Sequence, residues 1–269
     1  LNKVSKDNVI KGNIKFEQYT YNANDPFSIS DNRVYTIYED SEGFLWIGTF
    51  GGGLNNLDKT TGHFISYKNL PGDRTSLSDN RVMAIHEDGS KNLWIGTYGG
   101  GLNLFDKKKE SFQRFNDKSR LKSSVVYGIL EDNFKQLWMS TDNGLFKLDL
   151  PTKQFTQYDQ NDGLQNLEFS GGAYYKSERG EMFFGGITGF NYFYPDSVID
   201  NTYVPPVSIS SIRIFDEPMR EERDTITLSY TQNFFSFEFA ALDYTNSSDN
   251  QYAFMLEGFD KQWRFVDSR

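Results

Sequence analysis

Leu45-Trp46-Ile47-Gly48-Thr49-Phe50-Gly51-Gly52-Gly53-Leu54 is the stretch that decides how this chain folds. It returns as Leu93-Trp94-Ile95-Gly96-Thr97-Tyr98-Gly99-Gly100-Gly101-Leu102. Looser copies follow at Leu137-Trp138-Met139-Ser140-Thr141 and Met182-Phe183-Phe184-Gly185-Gly186. The marker aromatic therefore recurs with a period in the middle forties. That is the length of a propeller blade of four antiparallel strands, not of a helical solenoid, whose apolar residues would follow helical spacing.

Each period divides into four strands. The first reads Val34 to Asp40, with counterparts at Val82 to Asp88 and Val126 to Asp132. A short turn carrying Gly43 or Gly180 leads into the marker strand, since glycine takes positive φ without steric cost. A glycine-rich turn opens the third strand, Leu54 to Asp58, Leu102 to Asp106 or Leu145 to Asp149. The fourth begins on an aromatic, as in Phe64 to Tyr67, Phe112 to Phe115 and Phe155 to Tyr158. Leu1-Asn2 matches Leu54-Asn55, and Phe16-Glu17-Gln18-Tyr19 matches Phe64 to Tyr67, so half a blade precedes four blades. Propellers typically close with four to eight blades, so an arc of a longer ring is expected.

Near Asn201 the period stops, and Pro205-Pro206 marks a boundary. Strand signals follow at Val207 to Ile214, Thr225 to Leu228, Phe234 to Ala240, Tyr252 to Leu256 and Trp263 to Val266. They read as a sandwich pattern that stops before it is complete. The expected architecture is all-β. Residues 1–200 form a partial β-propeller of about four four-stranded blades plus half a blade, and residues 201–269 a truncated immunoglobulin-like β-sandwich.

Composition agrees with this. The 269 residues include 24 Phe, 16 Tyr and 4 Trp with 23 Gly and only 7 Pro, which suits short strands and tight turns. Acidic residues outnumber basic ones, 37 to 28, leaving a net charge of −9. That argues against a nucleic-acid partner, which needs clustered Lys and Arg. The one basic run, Lys107-Lys108-Lys109, reads as a solvated hairpin tip. With no cysteine there is neither a disulfide framework nor a thiolate metal site. No apolar run reaches the ~18 residues of a membrane span, and no signal peptide opens the chain. This piece is therefore expected to be soluble, with any anchor of its parent lying outside it.

Repetition separates folding devices from candidate site residues. Trp46, Trp94, Trp138 and Phe183 hold one place in every blade and should pack between blades. Glu39-Asp40, Glu87-Asp88 and Glu131-Asp132 suggest paired-carboxylate catalysis, but adjacent strand residues point to opposite faces. Turn capping by the aspartates is the expected role. His63 and His86 are too isolated for a metal site, and His86 stands where Tyr38 and Leu130 stand, filling a strand. No nucleophile triad, phosphate loop or metal motif appears, so neither catalysis nor a cofactor is expected. Positions that vary between blades are better candidates. The loop entering the first strand carries Arg33, Arg81 and Val125, and the turn after the marker strand carries Phe50, Tyr98 and Asp142. Arg33, Phe50, Arg81, Tyr98 and Asp142 are the candidate ligand contacts, for a sugar or acidic sugar held by stacking and bidentate bonds.

Asn32-Arg33-Val34, Glu39-Asp40, Leu45 to Thr49 and Gly52-Gly53-Leu54 together resemble two-component regulator propeller repeats. Gly163-Leu164 through Gly189-Phe190 to Pro195 resembles the closing blade of such propellers. Tyr252 to Trp263 resembles the sandwich domain named for its three tyrosines. The resemblance implies the periplasmic ectodomain of a hybrid two-component sensor histidine kinase of Bacteroides type, anchored by a membrane helix. It would sense glycan fragments and switch on polysaccharide-utilisation genes. An oligosaccharide ligand and homodimerisation or self-association are the expected partners. Two alternatives stay open: a purely structural or dimerisation module, and a propeller glycosidase or lyase.

Overall fold

The computed structural model describes residues 1–5, 9–12, 14–115, 121–199, 206–219, 225–242 and 252–266. The chain divides into two compact units, Leu1–Val198 and Ile199–Arg269. The boundary signals Asn201 and Pro205 lie outside the described residues.

The first unit opens with a two-stranded half-blade, β1 (Asn2–Lys3) and β2 (Glu17–Gln18). The first blade is β3 (Val34–Glu39), β4 (Leu45–Thr49), β5 (Leu54–Leu57) and β6 (Phe64–Tyr67). The second is β7 (Val82–Glu87), β8 (Leu93–Thr97), β9 (Leu102–Asp106) and β10 (Ser111–Phe115). The third is β11 (Val126–Glu131), β12 (Gln136–Thr141), β13 (Leu145–Asp149) and β14 (Phe155–Tyr158). Each is a four-stranded antiparallel meander in sequence order. The last blade departs from the expected four strands. It has three, β15 (Phe169–Lys176), β16 (Met182–Gly186) and β17 (Gly189–Phe193), after which Pro195–Ser197 turn as a short 3₁₀ helix.

In the second unit, β18 (Val207–Ile214) lies between β19 (Glu217–Pro218) and β20 (Phe235–Ala241), and β21 (Tyr252–Phe254) pairs with β22 (Arg264–Val266). Thr225 to Leu228 is not a strand, although its residues alternate, because it finds no ladder partner among the described residues.

Blades bury one another through their marker strands. Trp46 joins Leu77, Val82, Ile95, Phe105 and Phe112 of the second blade's region, and Trp94 joins Val126, Met139, Phe146 and Leu148 of the third. Trp138 meets Met182, Phe184 and Phe193 of the last blade. The glycine of Leu-Trp-Ile-Gly-Thr follows from this approach. A Cβ on Gly48 would stand 2.6 Å from Val82 Cγ1, and one on Gly96 2.8 Å from Val126 Cγ1. Phe183 breaks the pattern. It pairs across the sheet with Tyr175 and Tyr192 on a face that no blade among the described residues covers, leaving Tyr175, Phe190 and Tyr192 61%, 62% and 63% exposed.

The aspartate of each Glu-Asp pair is buried and caps its own turn. Asp88 Oδ1 accepts the backbone N–H groups of Ser90 and Asn92, both at 2.9 Å, and Oδ2 accepts Trp94 Nε1–H at 2.8 Å. Asp40 with Trp46 and Asp132 with Trp138 repeat this at 2.9 Å. Burial pushes the Asp88 carboxyl up, but the indole, Asn92 and the turn amides hold it below the usual carboxylate range. The glutamates reach the other way. Glu87 accepts Ser41 N–H at 2.7 Å and Glu131 accepts Gly89 N–H at 2.8 Å, each tying its strand to the preceding blade's turn. Lys107 adds 2.8 and 3.0 Å bonds to Asp40 and Glu87 across the same joint.

Asp88→Ala is expected to destabilise the chain by about 3 kcal/mol, since it strands a buried indole N–H and two turn amides. Chemical denaturation followed by tryptophan fluorescence measures this. A second expectation concerns His86, which is half-buried with its enclosed Nε2 lacking a hydrogen-bond partner, 4.0 Å from Glu131. Burial lowers its pKa to about 4, below the unfolded value of about 6.5. Its neutral state is thus favoured by the fold, and stability should fall as pH drops from about 6.5 towards 4. His86→Leu, copying Leu130, should remove that fall. Unfolding of both proteins at pH 7 and pH 5 isolates the histidine from Glu131, whose carboxyl the same burial raises.

Candidate functional site

The loops entering β3 and β7 build the same local device from Asp-Asn-Arg. Arg33 forks onto Asp31, with Nη2–Oδ2 at 2.8 Å and Nε–Oδ1 at 3.2 Å. Arg81 grips Asp79 at 2.7 and 2.9 Å. The partners hold both carboxyls below their ordinary range, in Asp79 against the opposing push of burial. This differs from a site whose guanidinium groups await an acid, because a neighbour two residues away already engages the Nε–Nη2 edge of each and offsets its charge.

Backbone bonds join these loops to the turns after the marker strands. Phe50 N–H donates to Arg33 O, and Tyr98 N–H to Arg81 O, both at 2.9 Å. Each guanidinium therefore lies over the neighbouring ring, Arg33 Cζ 5.8 Å from the Phe50 centroid and Arg81 Cζ 5.0 Å from that of Tyr98. The rings continue from blade to blade. Tyr35 is 6.2 Å from Phe50, Phe50 is 5.9 Å from Tyr98, and Tyr98 is 6.2 Å from Tyr127. Arg33, Phe50, Arg81 and Tyr98 thus gather on one arc with Tyr35 and Tyr127.

Asp142 stands at the third blade's equivalent of Phe50 and Tyr98. It accepts a hydrogen bond from Ser123 Oγ, which in turn accepts Val125 N–H at 2.9 Å. Tyr127 feels that carboxylate. Burial first, then Tyr98, Glu168 and Asp142, push its hydroxyl up to about 12. Sequence alone does not single out Glu168. It immediately precedes β15 as Arg33 precedes β3 and Arg81 precedes β7, and comparing that position across all four blades is the signal that finds it. Tyr35 and Tyr127 are likewise second residues of the segments that enter their blades.

Two concavities lie away from the arc. One of about 610 Å³ is lined by Glu42, Lys91, Phe105, Lys107 and Phe112. One of about 190 Å³ is lined by Trp138, Tyr158, Leu164, Phe193 and Val198. Among the described residues, no group of three or more His, Cys, Asp or Glu side chains could hold a metal ion, and no helix is long and apolar enough to cross a membrane.

A family model described as two component regulator propeller matches residues 28–51 and 76–99. Each match runs from the Asp-Asn-Arg loop through the marker strand into the glycine turn. Histidine kinase P4 of Formosa agariphila is 31% identical over 279 residues, spanning 96% of this chain but 20% of that protein. Among solved structures, the extracellular domain of a hybrid two component system from B. thetaiotaomicron is 28% identical with a TM-score of 0.68. That match covers 95% of this chain and 35% of the other. The extracellular domain of a one component system from the same organism, 21% identical with a TM-score of 0.54, shares the fold over 95% of this chain and 46% of its own. This chain thus spans a fifth of the kinase and about a third of the first ectodomain.

Proposed function

Taking as premise that this chain carries two-component regulator propeller repeats and the fold of two-component ectodomains, we propose that it belongs to the periplasmic sensor region of a hybrid histidine kinase and binds a glycan on its aromatic arc. The observation that carries the reading is the run Tyr35, Phe50, Tyr98 and Tyr127, which crosses three blades with ring spacings of 5.9 to 6.2 Å. Tyr35 and Tyr98, 43% and 37% exposed, and half-buried Phe50 offer apolar surface to the apolar faces of sugar rings, with the tyrosine hydroxyls at the edges, while the buried Tyr127 backs them from the core. The parent would be anchored in the inner membrane, with these blades outside it.

Binding would transmit because residues of separate blades contribute to one surface. A ligand moves an equilibrium only through differential affinity for its states. A sugar bridging Phe50 and Tyr98 favours the arrangement in which two blades present those rings together. The binding role needs no catalytic group, and the chain would pass the signal on without turning over its ligand.

Calorimetric titration of an oligosaccharide panel into the whole ectodomain tests this. At least one member should bind, and Tyr98→Ala should weaken it tenfold or more. Unchanged affinity in both Tyr98→Ala and Phe50→Ala would remove the arc from the site.

A second reading rests on a different surface. The face formed by Tyr175, Phe183, Phe190 and Tyr192 is a stack of exposed rings, with Phe183 and Tyr192 5.9 Å apart. Contiguous exposed apolar surface of this kind marks an association site. This chain is therefore expected to self-associate through it. Light scattering should show mass rising with concentration, and the double variant Phe190→Ser, Tyr192→Ser should remain monomeric. A monomeric parent chain at high concentration sinks this second reading.

A further inference from the structure

Resting on the glycan reading above, we infer that the arc selects uncharged saccharides and rejects uronate- or sulfate-bearing ones. The first ground is the state of its two arginines. Both guanidinium groups make two-point bonds to Asp31 and Asp79 at 2.7 to 3.2 Å. An anionic ligand would be left the Nη1 edge of each guanidinium, whose positive charge the loop carboxylate already offsets. That loop carboxylate also accepts the arginine's own backbone N–H at 2.8 Å in both blades.

The second ground is the order of charges around the arc. The position before each first strand reads Arg33, Arg81, Val125 and Glu168, and the position after each marker strand reads Phe50, Tyr98, Asp142 and Ile187. The first two blades pair their cations internally. At these two positions the other two blades carry the carboxylates Asp142 and Glu168 and no cation. Counted over these positions and the two loop aspartates, two guanidinium groups stand against four carboxylates, Asp31, Asp79, Asp142 and Glu168, a formal excess of two negative charges at these positions. The Glu168 side chain makes no hydrogen bond or ion pair among the described residues, and Asp142 has only the hydroxyl of Ser123. Both act on Tyr127, whose hydroxyl is held protonated as their charges add to its burial.

Such a surface discriminates by sign. Sugar hydroxyls donate to Asp142 and Glu168 in charge-assisted bonds, while the ring lies on Tyr98 and its neighbours. A ligand carboxylate or sulfate placed there meets like charge, and built-in repulsion is an effective source of specificity.

The test uses the whole ectodomain and matched pairs of probes: manno-, gluco- and galacto-oligosaccharides against the corresponding uronic acid oligomers, titrated at low and high salt. A neutral member should bind at least tenfold tighter than its uronate counterpart. The gap should shrink as salt rises, because screening acts within a Debye length of about 8–10 Å. The double variant Asp142→Asn, Glu168→Gln should narrow the gap threefold or more by improving uronate binding. Uronates binding as well as or better than their neutral partners, with Tyr98→Ala still abolishing both, would overturn the charge inference and leave the glycan reading standing. Absence of binding by every member of both series would bring down both.

Discussion

The hydrogen bond from a tryptophan indole to a buried aspartate is the constraint around which each of the first three blades is built. Asp40, Asp88 and Asp132 are 4 to 6% exposed. Burying a carboxylate so deeply is tolerable only when its oxygens are satisfied. One oxygen takes two amides of the turn joining the first two strands, and the other takes the indole of the second strand. The turn, the strand pairing and the orientation of the ring facing the next blade are therefore fixed together. Because that ring forms the floor on which the next blade packs, loss of the aspartate in one blade disturbs the joint with its neighbour.

The same joint shows how far the sequence could be read. Period, strand order and the four strands of the first three blades are legible because Leu-Trp-Ile-Gly-Thr and its flanking turns repeat in phase. The capping role of the aspartates follows from alternation, since adjacent residues cannot both serve one cleft. The reach of Glu87 and Glu131 into the preceding blade's turn is not legible, because a period read within one blade carries nothing about which neighbour a side chain meets. Compensation is similarly hidden. Thr36 opposes Gly48 and Ala84 opposes Gly96, whereas in the third blade Gly128 opposes Ser140. A Cβ on Gly128 would stand 2.3 Å from a Tyr174 ring carbon, so the small residue has changed strands to admit a larger neighbour.

At the arc, the sequence supplies the members but not their state. Phe50 and Tyr98 follow from their place after the marker strand, and Arg33 and Arg81 from their place before the first strand. Their pairing with Asp31 and Asp79 reverses the chemistry that free arginines would imply. An arginine whose Nε–Nη2 edge holds a carboxylate two residues away has its charge offset and lies over a ring, here at 5.0 to 5.8 Å from the centroid. Of the acidic residues, Asp142 follows from its place after the marker strand, but Glu168 becomes visible only when the last blade is aligned by its strands, because there the marker tryptophan is gone and Glu168 has no motif around it.

That missing tryptophan is itself accounted for by the same constraint. In the last blade Phe183 stands in the tryptophan's place and Ser177 in the aspartate's, and the two changes belong together. Phenylalanine has no N–H to give, and a carboxylate left at that turn would lose the partner that makes its burial tolerable. Serine keeps the part of the role that remains. Its Oγ accepts the Glu181 N–H at 3.1 Å, and its backbone closes the turn through a 2.9 Å bond from Gly180. Without an indole anchored to a buried charge, nothing within the blade fixes the ring on that face against a neighbour. Phe183 instead stacks sideways on Tyr192 and Phe190. The turn survives without the buried Asp–Trp pair, and among the described residues no blade covers this face, whereas neighbouring blades occupy the first three.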